Sequence, residues 1–306
     1  MSQFLSNEKP ACPGWLLSLA KADQPIRVAI ARASAASSIE AAKEGVEAGL
    51  VEPIFVGECD EIRRLADQAG FDISAFELVD ATGEEEAGAK AAHLCGAGDA
   101  DVLMKGQLHT DVFMKAALNR DAGLRTGNRL LHQFVMLKGD QDPVVISDAA
   151  VNVAPDLETR QEATSAVVKM LRLLGRSPRV AFLSATESPL PAVPSAIEGR
   201  ELCDWAKSSI KEAAFSGPLA MDLIFSAEAV AVKGLSDDPV AGQANGIIVP
   251  EIVSGNALFK AMVYMAGACA GGLVIGGKVP IMLTSRADPP AARLASMALS
   301  AIWARG

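Results

Sequence analysis

Two stretches carry the side chains best suited to chemistry. Pro280-Ile281-Met282-Leu283-Thr284 reads as a strand and runs straight into Ser285 and Arg286. A hydroxyl and a permanent cation therefore stand at a strand's carboxyl end, where ligands of parallel α/β sheets gather. Lys105-Gly106-Gln107-Leu108-His109-Thr110 follows an apolar strand over 101–104 and precedes a helix over 111–119. A cation, a glycine and a hydroxyl at a strand-to-helix junction suit anion binding through backbone N–H groups and the helix dipole. The same pattern fits a glycine turn with Thr110 as N-cap and Lys105 in solvent.

Other candidates are weaker. Arg120, Arg125 and Arg129 share a polar loop over 120–129; a guanidinium can grip phosphate with two prongs, but such loops are also ordinary solvated surface. His132, in a strand over 131–137, fits a partly buried histidine with its hydrogen bonds satisfied. Ser254-Gly255-Asn256 opens a helix with Lys260 one turn in, which suits an anion site or a plain cap with an exposed lysine. The patterns G-x-S-x-G, H-E-x-x-H, G-x-x-x-x-G-K-[ST] and G-x-G-x-x-G are absent from the sequence. That argues against a serine hydrolase, a zincin, a P-loop enzyme or a fingerprint dinucleotide-binding dehydrogenase. No metal-ligand spacing is visible.

The elements that must hold these residues alternate regularly. Strands are expected over 27–31, 51–56, 76–79 and 101–104, with helices over 39–48, 61–69 and 83–95 between them. Such alternation describes a parallel or mixed sheet covered by helices. A second series begins near 146, with strands over 143–148, 179–184, 246–250, 272–276 and 280–284. Its helices are expected over 158–174, 196–214 and 222–233, from 254 onward, and over 290–303. The segment 186–194, with three prolines, reads as loop, and Phe215-Ser216-Gly217-Pro218 as a turn.

A chain of 306 residues suggests two compact domains. The net charge of −9, with no basic block, speaks against nucleic-acid binding. Five scattered cysteines without a C-x-x-C pair fit reduced thiols in the cytoplasm. The chain opens without a secretory leader pattern. Its longest uncharged run, 261–277, is glycine-rich and shorter than the roughly 20 residues a membrane span needs.

Several segments together resemble the phosphate acetyl- and butyryltransferase family. They are Gly217-Pro218-Leu219-Ala220-Met221-Asp222, Val240-Ala241-Gly242, Ser254 through Lys260, and Pro280 through Asp288. Upstream, Glu52-Pro53-Ile54-Phe55-Val56-Gly57, Lys105-Gly106 with Thr110, and Ser147-Asp148-Ala149-Ala150-Val151-Asn152 add to it. The Thr-Ser-Arg-Ala-Asp ending and the Leu130-Leu131-His132 segment look closer to the butyryl-type branch. The resemblance implies an α/β fold like the isocitrate and isopropylmalate dehydrogenases, with the active site in the interdomain cleft. It implies a first domain of 1–146 plus 287–306, a second of 147–286, and a homodimer formed through the second. The implied reaction moves a short acyl group, acetyl to butyryl, reversibly between coenzyme A and phosphate. Acyl-CoA and phosphate would be the substrates, with no cofactor, metal, membrane or nucleic-acid partner.

Acyl transfer passes through a charged tetrahedral species, and one donor to the developing oxyanion is typically worth about 10²–10³ in rate. The resemblance assigns such roles to Ser285 and Arg286, and a weak phosphate contact to Lys115. Where acetyl-type relatives carry an aspartate seven residues after the serine, this chain has Ala292. Asp288 could replace it, yet Pro289-Pro290 follows directly, the arrangement of an N-cap with proline at N1. Phosphate itself or His132 also remain as bases. Ser216 stands where relatives commonly have aspartate. Two other functions stay open: a weak or non-catalytic binder of CoA or acyl phosphate, and a dehydrogenase of the same fold.

Overall fold

The computed structural model describes residues 4–283 and 288–306. In chain order, the elements up to residue 130 are α1 (Gly14–Ala20), β1 (Ile26–Ala31), α2 (Ala36–Glu47), β2 (Val51–Gly57), α3 (Cys59–Gln68), β3 (Glu77–Asp80), α4 (Gly83–Ala97), β4 (Val102–Lys105) and α5 (Thr110–Leu118). Next come β5 (Leu131–Leu137), β6 (Val144–Ser147), α6 (Leu157–Leu173), β7 (Arg179–Leu183), α7 (Pro194–Ser209), β8 (Ala214–Leu219), α8 (Met221–Phe225), α9 (Ala227–Val232), β9 (Gly246–Ile248) and α10 (Ile252–Tyr264). The chain closes with β10 (Cys269–Ile275), β11 (Ile281–Met282) and α11 (Pro290–Arg305).

Contacts divide the chain into two compact units. The first joins Pro10–Leu130 to Gly271–Gly306; the second is Leu131–Ala270 with the N-terminal residues up to Lys9. The family resemblance implies switches at 146/147 and 286/287 instead. The difference at the first switch has a physical source: β5 pairs antiparallel with β6, so the hairpin belongs to one unit.

In the first unit the strands run β3-β2-β1-β4-β11-β10. All neighbours are parallel except β11 and β10. The inner strands β1 and β4 are almost wholly buried, as apolar runs covered on both faces should be. Phe55, fully buried on β2, packs edge-on against Phe71 and Phe76, with ring centroids 6.4 and 6.3 Å apart. The C-terminal helix α11 returns to this unit and buries ten residues of its length.

The second unit orders its strands β5-β6-β9-β7-β8, parallel apart from the β5–β6 hairpin. Asp156 caps α6 by accepting the Thr159 N–H at 2.8 Å. Two expectations fail here. The segment 215–218, read as a turn, is strand β8: Phe215 is buried against Phe182, and Pro218 is tolerated because β8 is an edge strand. The expected helix over 222–233 is two, since the Ser226 hydroxyl accepts the Ala229 N–H and starts α9 afresh.

Candidate active site

The carboxyl ends of β1, β2 and β4 carry a dense polar network, all in the first unit. Arg32, just past β1 with a left-handed φ of 50°, reaches Glu58 at 3.3 Å and Glu84 at 3.4 Å. Glu58, following β2, also accepts from the Ser34 hydroxyl at 2.5 Å and the Gly83 N–H at 3.1 Å. Burial alone would push the Glu58 carboxyl up, but these donors outweigh it and hold it at about 2. Glu84, in the first turn of α4, accepts the His109 N–H at 2.9 Å and its Nδ1 at 2.8 Å. That backbone and ring donation holds the Glu84 carboxyl below the usual carboxylate range. A carboxylate can only accept, so Nδ1 carries the proton and Nε2 of neutral His109 is a free acceptor.

The connection from β4 to α5 is strapped to this network. Ala31 and Arg32 accept the N–H groups of Gly106 and Gln107, each at 2.9 Å, and Arg32 Nη1 donates to the Gln107 carbonyl at 3.4 Å. A Cβ on Gly106 would stand 2.4 Å from the Ala31 oxygen and 2.5 Å from that of Arg32. Only glycine fits. Lys105 ends β4 half-buried. Thr110, expected as N-cap, is instead the first helical residue, because His109 holds the cap position and offers no side-chain bond to the helix. Among the described residues the N–H groups of Thr110, Asp111 and Val112 therefore meet no acceptor. Thr110 and Lys115 are exposed.

The arginine loop closes against the turn after β10. Thr126 donates to the Gly276 carbonyl at 2.6 Å, and the Arg129 carbonyl crowds Gly276, where an added Cβ would sit 2.0 Å away. A small cavity of about 130 Å³ opens here, lined by Leu124, Arg125, Thr126, Asn128, Gly276 and Ile281 among others. Arg129 is half-buried, while Arg120 and Arg125 are exposed.

Candidates in the second unit are positioned differently from expectation. His132 is buried on β5, its ring tilted by 46° against Phe134 at 4.2 Å, and Phe134 in turn stacks at 3.9 Å on Phe259 of α10. Burial pushes its imidazole down to about 4 against the opposing pull of Asp148. Asp148 accepts the His132 N–H at 3.2 Å and the N–H groups of Ala150, Val151 and Asn152. The helix holding Ser254-Gly255-Asn256 starts earlier than expected, at Ile252. Glu251 caps it and takes the Val253 and Ser254 N–H groups at 2.6 and 2.8 Å. This helix start is thus filled by the chain's own carboxylate, and an anion there would meet repulsion. Gly255 instead permits close packing, 2.9 Å from a hypothetical Cβ to Ala149 Cα, and Asn256 ties to the Ala149 carbonyl at 3.3 Å. Lys260 is exposed. Ser216 donates to Asp238 at 2.6 Å, and Asp238 also accepts the N–H groups of Val240 and Ala241.

Ser285 and Arg286, with Thr284 and Ala287, lie outside the described residues. Asp288 is half-buried, and its carbonyl accepts from Arg293 at 2.9 Å. The N-cap of α11 is Pro289, one residue later than expected, because the helix begins at Pro290. Ala292 is buried in the first turn of α11. Sequence reasoning passed over Arg32, Glu58, Glu84 and His109 as a group. The available signal was Arg32 directly after an apolar strand and His109 inside the Lys105–Thr110 segment. Among the described residues no cluster of His, Cys, Asp and Glu could hold a metal, and no helix is long and apolar enough to cross a membrane.

This geometry can be set beside known proteins. The sequence profile described as "Phosphate acetyl/butaryl transferase" matches residues 85–301. A phosphate acetyltransferase of Rhizobium meliloti is 39% identical over 292 residues, covering 94% of this chain and 92% of its own. A phosphate butyryltransferase of Clostridium acetobutylicum is 33% identical, covering 93% of this chain and 95% of its own. Among solved structures, a branched-chain phosphotransacylase from Enterococcus faecalis V583 superposes with a TM-score of 0.80 at 28% identity, over 90% of this chain and 99% of its own. The higher of these identities is to an acetyltransferase, so identity does not favour the butyryl-type branch. Profile, relatives and fold agree: the chain belongs to the phosphate acetyl/butyryltransferase family.

Proposed function

We propose that this protein is a phosphate acyltransferase that moves acetyl to butyryl groups reversibly between coenzyme A and phosphate. The observation that carries the phosphate half is the open start of α5. Among the described residues, the N–H groups of Thr110, Asp111 and Val112 are unpaired, and Lys105 and Gly106 lie a few residues upstream at the end of β4. The N-terminus of a helix attracts anions through such groups and its dipole. The contrast with α10, whose first turn is filled by Glu251, supports α5 as the phosphate end. Thr110, Lys115 and Arg129 are the further groups from which phosphate contacts are drawn. Ser285 and Arg286 take the developing oxyanion and the anionic leaving group. The reaction needs neither metal nor covalent intermediate, because phosphate and thiolate are themselves the nucleophiles.

Two further parts of this reading concern the setting. In the second unit, α10 buries only Gly255 and leaves Val253 69% and Tyr264 59% exposed, and Met265 at its C-cap is 52% exposed. Exposed apolar surface of that kind supports a homodimer formed through this unit. Five free cysteines support a reducing, cytoplasmic setting.

The test is arsenolysis. Purified protein is mixed with arsenate and each acyl-CoA of a two- to five-carbon panel, and free thiol is followed by colour. Steady CoA release that disappears in Arg286→Ala supports the proposal and ranks the chains. CoA binding without turnover, or hydride transfer to a nicotinamide, would replace it with a sensor or a dehydrogenase.

A further inference from the structure

The proposed reaction needs a group that removes the CoA thiol proton, and the aspartate of acetyl-type relatives is Ala292 here, buried in the first turn of α11. His132 does not fill the role. Burial drives its imidazole down to about 4, and its Nδ1 meets no partner among the described residues.

We propose that His109, oriented by Glu84, is the proton acceptor and donor of this enzyme; the assignment rests on the acyltransferase reading above. Three features single it out. First, His109 holds the cap position of α5, immediately before the three open N–H groups. An anion bound to those groups lies next to its ring. Second, the Glu84 carboxylate engages Nδ1 through both oxygens, at 2.8 and 3.0 Å, and the His109 N–H at 2.9 Å. Ring and backbone are gripped by one side chain, so the tautomer with a free Nε2 is set. A carboxylate holding Nδ1–H in this way also stabilises the imidazolium formed when Nε2 accepts a proton. Third, the side chain is 79% exposed although its backbone is fixed, leaving Nε2 open to a substrate.

The surroundings support the same role. Arg32 braces Glu84 at 3.4 Å and is itself shared with Glu58. Asp111 lies in the first turn of α5, and Lys105 ends β4. The same two helices also carry Glu85, Glu86 and Lys90 on α4 and Lys115 on α5. The Arg32 charge keeps Glu84 from being a lone anion beside a phosphate site.

The proton inventory closes. In the direction of acyl-CoA synthesis, Nε2 accepts the thiol proton and the thiolate sulfur forms the C–S bond to the acyl carbon. Collapse of the tetrahedral adduct breaks the bond from that carbon to the phosphate oxygen. The phosphate departs with the electron pair and takes the proton back from Nε2 as hydrogen phosphate. In reverse, Nε2 takes the proton of hydrogen phosphate as it attacks the thioester, and returns it to the leaving thiolate.

The test uses the full chain in the arsenolysis assay and in acyl-phosphate synthesis. His109→Gln and His109→Gly are expected to lower kcat by about 10²–10⁴, the usual range for a general base. KM for phosphate should stay within about threefold of wild type, and Glu84→Gln should give a smaller loss. The pH dependence of kcat should differ between wild type and His109→Gln. Added imidazoles should restore turnover to His109→Gly in proportion to their basicity, a response that a merely structural histidine would not give. Active wild type with unchanged kcat and pH profile in both His109 variants overturns the proposal. So does a loss that no imidazole rescues and that falls on KM alone. A wild type without turnover on any acyl-CoA removes the acyltransferase reading itself, and this proposal with it.

Discussion

Gly106→Ala tests whether the β4–α5 connection is held as tightly as its contacts indicate. The new Cβ would lie 2.4 Å from the Ala31 oxygen and 2.5 Å from the Arg32 oxygen. Carbon–oxygen contacts normally sit at about 3.3–3.6 Å, so one strand must retreat by about 0.9 Å. Neither neighbour is a side chain that could swing away. Both oxygens also accept hydrogen bonds, from Gly106 and Gln107 at 2.9 Å, which the retreat would stretch. Overpacking costs about 1–3 kcal/mol and each of the two lost bonds about 0.5–1.5, giving about 2–6 kcal/mol in all. For a unit of this size, at about 2–4 °C per kcal/mol, that is a fall of about 4–24 °C in the melting temperature. Because the two units can melt separately, calorimetry is the appropriate measurement. A displacement near 1 Å of Lys105 and the α5 start should also cost about 10² in kcat/KM for acyl transfer. Gly98→Ala is the control: its φ is 93° with nothing within 4 Å, so strain alone costs about 1–2 kcal/mol and kinetics stay as in wild type. A Gly106→Ala protein with wild-type melting and wild-type kinetics would refute the argument.

Two further outcomes follow from other parts of the network. The Glu58 carboxyl, held at about 2, contributes stability that is complete above its unfolded value near 4.5 and is lost as pH falls toward 2. Urea unfolding of wild type should therefore weaken from pH 5 to pH 3, with Glu58→Gln starting weaker and losing less over that interval. In the second unit, Ser216→Ala removes a 2.6 Å donor from Asp238, and a lost bond to a charged group costs about 1.5–3 kcal/mol. The expected result is a lower urea midpoint with the urea dependence itself unchanged.

Much of the fold was legible because parallel strands covered on both faces leave long apolar runs. Residues 27–31, 51–56 and 131–137 coincide with β1, β2 and β5 almost to the residue. The failures share a cause. Gly217-Pro218 carries turn chemistry, yet the edge position of β8 and the Phe182 ring under Gly217 make a strand of it. Ser226 is one polar residue in an apolar stretch, and its hydroxyl competes with helix N–H groups strongly enough to end α8. In each case a tertiary neighbour or a single side-chain bond overrode a local preference, and neither is visible in periodicity.

The site was less legible because its organisation depends on partners far apart in the chain. Lys105, Gly106 and Thr110 were readable as an anion-binding junction, but what leaves the α5 start open is His109 at the cap. His109 bonds backward to Glu84 rather than forward into its own helix. The same residue types at 254–256 looked equally suited, and Glu251, three residues upstream of Ser254, closes that helix start. Thus two junctions with similar composition differ in where their first-turn N–H groups donate, decided by whether a carboxylate turns into the helix, as Glu251 does, or reaches across from α4 to the cap residue, as Glu84 does. Anion sites of this kind are found by asking where each first-turn N–H donates, a question that sequence spacing poses and only the folded chain answers.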